Sequence, residues 1–248
     1  MPELTQIVDH LDRLLAIDDF RDYGPNGLQV PGPTQVRTVV TGVSANGRLI
    51  DAAIERGADL VLVHHGLFWR GDPQEVTPLL HRRLAPLIKH DVALAAYHLP
   101  LDAHPEHGNN ILLARALGGT DPQPFAEYGF RVTFGEPLSI AELTARVTDA
   151  VGGRAPLVVP GGPAEIRTLG VVSGAATDSI LEAAALGLDA FLTGEPAERG
   201  FSLATDLGIH FLAAGHHATE TFGVRALGDL LAREFGVEHV FVDVENPI

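Results

Sequence analysis

The chain contains no cysteine in 248 residues. That single absence excludes disulfides, thiolate nucleophiles and Cys-ligated zinc or iron–sulfur centres, so any metal must be held by nitrogen and oxygen. Positive charge is also scarce: 17 Lys and Arg stand against 32 Asp and Glu, a formal net charge of −15. Such a surface repels a nucleic-acid backbone and argues against DNA as a partner. No apolar run approaches the ~20 residues of a membrane helix, and the first residues lack a basic-then-apolar leader pattern. The expectation is a cytoplasmic protein without a membrane partner. Neither a P-loop nor a Rossmann glycine fingerprint is present to cradle a triphosphate. What remains is ordinary globular composition, 46% hydrophobic and 20% charged, at a length that suits one large domain or two small ones.

The patterning is that of an α/β protein. Leu4, Ile7, Val8, Leu11, Leu14 and Leu15 recur at spacings of three and four, which predicts an amphipathic helix. Leu60 to Val63 is apolar without alternation, as in a strand covered on both faces. A helical pattern through Leu79, Leu80, Leu84, Leu87 and Ile88 follows, then a strand-like stretch from Val92 to Tyr97. Strand–helix alternation of this kind predicts layered α/β structure with a largely parallel sheet.

The chain also resembles itself. At an offset of 130, Thr38 falls on Thr168, Gly57 on Gly187, Asp59 on Asp189 and Leu62 on Leu192. At an offset of 118, Leu94 falls on Leu212, His98 on His216, Asp102 on Glu220 and Gly118 on Gly236. A weaker match sets Glu3-Leu4-Thr5 on Glu142-Leu143-Thr144. The order is conserved along the chain, which predicts an internal duplication with repeats over 1–124 and 125–248. The segment with Gly119, Pro122 and Pro124 reads as a linker between them, and Gly152 to Pro163 as a loop or hairpin within the second repeat.

Histidines carry the chemistry. His64-His65-Gly66 closes a predicted strand, and in open α/β sheets ligands gather at carboxyl ends of strands. Within a regular strand two adjacent rings point to opposite faces; at its end, with Gly66 permitting a sharp turn, both can face one cavity. His98-x-x-x-Asp102 follows a strand, and His216-x-x-x-Glu220 is its counterpart in the second repeat. That spacing in the first turn of a helix sets an imidazole and a carboxylate on one face, and a helix N-terminus tolerates the carboxylate. The double histidine has no counterpart, because positions 194 and 195 are Gly194 and Glu195. His64, His65, Asp102, His216 and Glu220, with His98 nearby, exceed the needs of one catalytic zinc, so two divalent ions fit better than one. Zn, Fe, Mn, Co and Ni all suit such donors. Two such ions against two carboxylates leave a local positive excess that can attract a small anionic substrate.

Four segments carry a family resemblance: Asp22-Tyr23-Gly24-Pro25-Asn26-Gly27-Leu28-Gln29-Val30, His64-His65-Gly66-Leu67-Phe68-Trp69, Tyr97-His98-Leu99-Pro100-Leu101-Asp102 and Gly215-His216-His217-Ala218-Thr219-Glu220. Together, in this order, they resemble the NIF3-like family, the dinuclear metal centre proteins of the YbgI type, over nearly the whole chain. The resemblance implies two similar, intertwined three-layer α/β/α repeats and a toroidal homohexamer. It also implies that His64, His65, Asp102, His216 and Glu220 ligate a metal pair. The inserted domain of some longer relatives is missing here. His98 is not carried over as a ligand; it reads as a supporting residue or an acid/base near pH 7. His104, His107 and His217 read as solvated loop histidines. Phe68 and Trp69 either pack the strand-end loop or stack a base, and Pro25-Asn26-Gly27 has turn chemistry.

Members of this family are commonly labelled type 2 homologues of GTP cyclohydrolase 1. That label implies a hydrolase in which hydroxide attacks C8 of a guanine ring and formate leaves, with His98 as candidate acid/base. A nucleotidase or other phosphoesterase is the rival activity, since no residue here specifies guanine. The non-catalytic alternative is a metal-stabilised ring that binds a partner protein or regulates transcription.

Overall fold

A computed structural model describes all 248 residues. In chain order the elements are α1 (Leu4–Leu14), β1 (Gly27–Val30), β2 (Thr38–Ser44), α2 (Gly47–Glu55), β3 (Leu60–His65), α3 (Pro78–Lys89), β4 (Ala93–Ala96) and α4 (Leu99–Ala103). Next come α5 (Asn109–Ala116), β5 (Thr120–Phe125), β6 (Gly129–Leu138), α6 (Ile140–Ala150), β7 (Leu157–Val159) and β8 (Ile166–Val171). The last are α7 (Ile180–Ala185), β9 (Ala190–Thr193), α8 (Arg199–Leu207), β10 (His210–Ala213), α9 (His216–Thr219), α10 (Thr221–Phe235) and β11 (Glu238–Phe241). No helix is long and apolar enough to cross a membrane.

Two compact units result: Met1–Leu101 with Gly223–Glu245, and Asp102–Phe222 with Asn246–Ile248. The first holds a sheet of order β1-β4-β3-β2-β11. Strands β4, β3, β2 and β11 are mutually parallel, and β1 runs antiparallel at the edge. One face packs Leu60 and Leu62 against Ile7 and Leu11 of α1 and Leu227 and Leu231 of α10. The other packs Val61 and Val63 against Leu49 and Ile50 of α2 and Leu87 of α3. Both faces of β3 are therefore covered, which is why its sequence is apolar without alternation.

The second unit repeats the plan. Its sheet has the order β5-β6-β8-β9-β10-β7, with β8, β9 and β10 parallel and β7 antiparallel at one edge. Leu169 and Leu192 pack against Leu113 of α5 and Leu143 of α6; Phe191 and Phe211 pack against Ile180 of α7 and Ala204 of α8. The register matches as well: Val39 pairs with Leu60 and Leu169 with Ala190, both shifted by 130. Each sheet thus lies between two helical layers. The repeats exchange their ends, because α5 and β5 pack in the second unit while β11 and most of α10 pack in the first. The result is two similar, intertwined α/β/α repeats, as the resemblance implies.

Three local readings need correction. The segment with Pro122 and Pro124 is the edge strand β5, paired antiparallel with β6, and an edge is where a sheet tolerates proline. Within Gly152 to Pro163, Leu157–Val159 forms edge strand β7 on β10 rather than a hairpin. Finally, Val61 pairs with Leu94 and Phe191 with Phe211, so the true offset in these strands is 117. The offset becomes 118 only at the following helix, after Gly215 adopts φ +98 as an added residue. A one-residue slip reverses the face of every side chain, which places Leu94 and Leu212 in different layers.

Candidate metal centre

In the first unit the parallel strands β2, β3 and β4 end at Ser44, His65 and Ala96, so their carboxyl ends share one edge. His64 is fully buried and His65 half-buried. They occupy successive strand positions, yet their ring centroids are 4.7 Å apart because the second ring stands at the strand tip. Gly66 makes room for Gln29 rather than a left-handed turn: a Cβ there would lie 2.3 Å from Gln29 Nε2 and would push aside the side chain whose Oε1 accepts from the Leu67 N–H at 2.7 Å. His98 completes the group, with one ring nitrogen each from His64, His65 and His98 within 4.8 Å of one another.

The tautomers are set from behind. Nδ1 of His64 donates to the Tyr97 carbonyl at 2.9 Å, and Nδ1 of His98 donates to Asp22 Oδ1 at 2.7 Å. Each bond leaves the ring lone pair on Nε2, the arrangement found behind metal-binding imidazoles. His65 Nδ1 lies 2.9 Å from Ser44 Oγ. Burial alone would raise the Asp22 pKa. Hydrogen bonds from His98, Asn26 and the Leu99 N–H outweigh burial and hold the carboxyl down to about 2. Asn26 also accepts from the His98 N–H at 2.8 Å, so its stretch is more than a turn.

The second unit holds its own donors at the corresponding edge. Glu220 is buried, and one of its oxygens lies 3.1 Å from His216 Nε2. Another carboxylate, Asp102, offers an oxygen within 4.8 Å of one from Glu220. Asp102 Oδ1 accepts from Asn109 Nδ2 at 2.8 Å and from Ser173 Oγ at 3.2 Å. His216 Nδ1 lies 2.5 Å from Glu195 Oε1. Burial favours the neutral His216 ring, but Glu220 and Glu195 together outweigh that and raise its pKa to about 9. Gly174 (φ +65) keeps space beside these groups: a Cβ there would stand 2.7 Å from Glu220 Oε1 and 3.3 Å from His216 Nε2.

His64, His65 and His98 meet in the first unit; Asp102, His216 and Glu220 lie together in the second. The helical expectation holds only in part. Helix α9 is a single turn with Glu220 at its C-cap, directly before the longer α10. His217 is buried rather than solvated, and His104 and His107 stack with centroids 5.1 Å apart. Asp22, Asn26 and Glu195 were not singled out as functional from the sequence. For Glu195 a signal was present, since the 130-residue offset sets it opposite His65; its acidity hid the equivalence.

Two α/β/α units, each with imidazole or carboxylate donors at the carboxyl edge of a parallel sheet, define a class of protein with His/Glu clusters able to bind metal ions. Residues 2–247 match the family model Duf34/NIF3 (NGG1p interacting factor 3), and the chain belongs to that family. It is 47% identical over 249 residues to a Pseudomonas aeruginosa protein named GTP cyclohydrolase 1 type 2 homolog, with 98% of each chain covered. A Vibrio cholerae protein of the same name is 44% identical, with 96% of each covered. The solved structure of protein ybgI, described as of unknown function, superposes with a TM-score of 0.95 at 38% identity, covering 99% of this chain and 100% of that one.

Proposed function

We propose that this protein is a metal-dependent hydrolase binding two divalent ions per chain through His64, His65, Asp102, His216 and Glu220. The observation that carries the reading is the orientation of His64: its Nδ1 on the Tyr97 carbonyl makes Nε2 the ring nitrogen suited to a metal, while His216, held at Nδ1 by Glu195, brings Nε2 to 3.1 Å from the Glu220 carboxylate. Imidazoles with carboxylates are the donor chemistry of Zn, Fe, Mn, Co or Ni, and His216, protonated beside Glu220 and Glu195, would give up its proton on taking a metal. The space kept beside Glu220 and His216 by Gly174 fits the same reading.

When bound, such a pair supplies Lewis acidity that lowers the pKa of water and stabilises negative charge on a substrate. The chain's own groups do the rest. His98 has its Nδ1–H fixed on Asp22, so proton exchange falls to Nε2. Ser173 and Asn109 orient Asp102 through Oδ1, and Glu195 orients His216. The names of the relatives favour a purine nucleotide as substrate and ring-opening hydrolysis as the reaction. Self-association accompanies the reading: exposed Ile88 on α3 and Phe201 on α8 are apolar surface suited to further copies of the chain.

The test is metal analysis of the purified protein followed by incubation with GTP. Two ions per chain and formate release are expected. Inorganic phosphate instead would assign a phosphoesterase. Metal that stabilises the protein with neither product would favour the scaffold, and absence of tightly bound divalent metal would overturn the proposal.

A further inference from the structure

A cavity of about 650 Å³ opens in the first unit beside the three-histidine group. Trp69 forms part of its wall, and the same indole stands edge-on to His98 at 5.1 Å between centroids and 5.9 Å from His65. The cavity and the histidines therefore share a wall. That wall is held in place by the segment that orients His98. The Arg70 N–H donates to the Tyr23 carbonyl at 2.6 Å, and Arg70 Nη2 donates to the Asp22 carbonyl at 2.7 Å. Gly24 lies so close to the Phe68 carbonyl that a Cβ would approach it to 2.5 Å. A bigger residue at position 24 would displace the loop that carries Trp69.

The lining narrows the kind of ligand. Phe68 and Trp69, with Leu67, Leu79 and Leu80, offer flat and aliphatic surface. Asp72, whose Oδ2 also accepts from the Trp69 N–H at 3.2 Å, and Glu75 supply acceptors, Gln74 adds an amide, and Arg83 is the one cation. Two carboxylates against one guanidinium disfavour a phosphate and favour a ring that presents N–H donors along its edge. The volume lies within the range of small-ligand sites, about 300–1,000 Å³. We propose that this cavity binds the planar heteroaromatic part of the substrate, a ring with edge N–H donors such as guanine or a pterin, against Trp69. The inference deepens the hydrolase reading by naming where the ring lies; its chemical purpose rests on that reading, but its occupancy does not require metal.

Trp69 is the only tryptophan in the chain, so its fluorescence reports this wall alone. Guanosine titrated into the full chain, metal-loaded and chelator-treated, is expected to give a saturable fluorescence change and matching calorimetric heat in both forms. In the chelator-treated form ribose 5-phosphate is expected to give neither. Leu79→Arg sets a cation among the acceptors at a position that is 58% exposed and so tolerates substitution; it should weaken guanosine about tenfold, worth roughly 1.4 kcal/mol, with an unchanged melting curve. No heat and no fluorescence change with guanosine, equal binding of ribose 5-phosphate in the chelator-treated form, or undiminished binding in the folded variant would each overturn the proposal. A protein that binds guanosine but no metal would leave this inference standing and remove the hydrolase reading instead.

Discussion

Asp22 Oδ1 accepts a 2.7 Å hydrogen bond from His98 Nδ1, and the two residues are 76 positions apart in the chain. The bond fixes the tautomer of a ring that belongs to the three-histidine group, and the Asp22 side chain is only 3% exposed. Its hydrogen bonds hold the carboxyl down to about 2, below the ordinary 3.8. A depressed carboxyl contributes stability that is fully present above the unfolded value and is lost as pH falls through the folded one. Denaturant unfolding should therefore lose on the order of 2 kcal/mol between about pH 4 and pH 2. Asp22→Asn should remove that slope, and a wild-type-like slope in the variant would assign it elsewhere.

Asp59 and Asp189 support their sheets by the same device. Asp59 Oδ2 accepts from the Arg37 and Thr38 N–H groups at 2.7 and 2.9 Å. Asp189 Oδ2 accepts from the Arg167 and Thr168 N–H groups at 2.8 and 2.9 Å. Alanine leaves two strand-entry N–H donors without their acceptor at Asp59, and at Asp189 the Thr168 hydroxyl as well; with the arginine donors open to water, each variant should lose about 1 kcal/mol. Chemical denaturation of both single variants checks this; a neutral result at one position would break the equivalence.

Gly174 has φ +65 and no room for a methyl group beside Glu220 and His216. Gly174→Ala should cost about 1 kcal/mol from backbone strain and should also lower the metal content, because Glu220 must move. Metal analysis together with a melting curve separates the effects. A destabilised variant that retains full metal content would place the ions away from Glu220.

Removal of divalent metal should lower the melting temperature, and His64→Ala or Glu220→Gln should lower it in the loaded protein while making it insensitive to chelator. A ligand at 100 times its Kd stabilises by about 2.7 kcal/mol, which calorimetry resolves easily. Equal chelator sensitivity in wild type and both variants would show that the ions are held by other residues.

Much of the plan is legible in the amino-acid sequence. Helix α1 follows from its three-and-four spacing and is reinforced by the Glu3 capping box. Strand β3 follows from an unbroken apolar run, fully buried in the fold. The candidate donors stand out because chemistry-bearing residues recur at repeat-related positions after strands, as His98 and His216 do. Helix α3 was found, but Leu79 and Ile88 within its periodic pattern are exposed rather than buried, since periodicity locates a helix without saying how wide its covered stripe is.

Local pattern alone determined the α/β class, the double histidine at a strand end and the paired histidine–acid spacings, because each depends on residues within a few positions of one another. Tertiary structure alone decided that Pro122 and Pro124 lie in an edge strand, that β11 joins the sheet of the first repeat, and that Asp22 and Glu195 stand behind His98 and His216. Those outcomes turn on which distant backbone or side chain arrives at a given edge. Hydrogen bonds of that range are set by packing of the whole chain, and leave no periodic trace in the order of its residues.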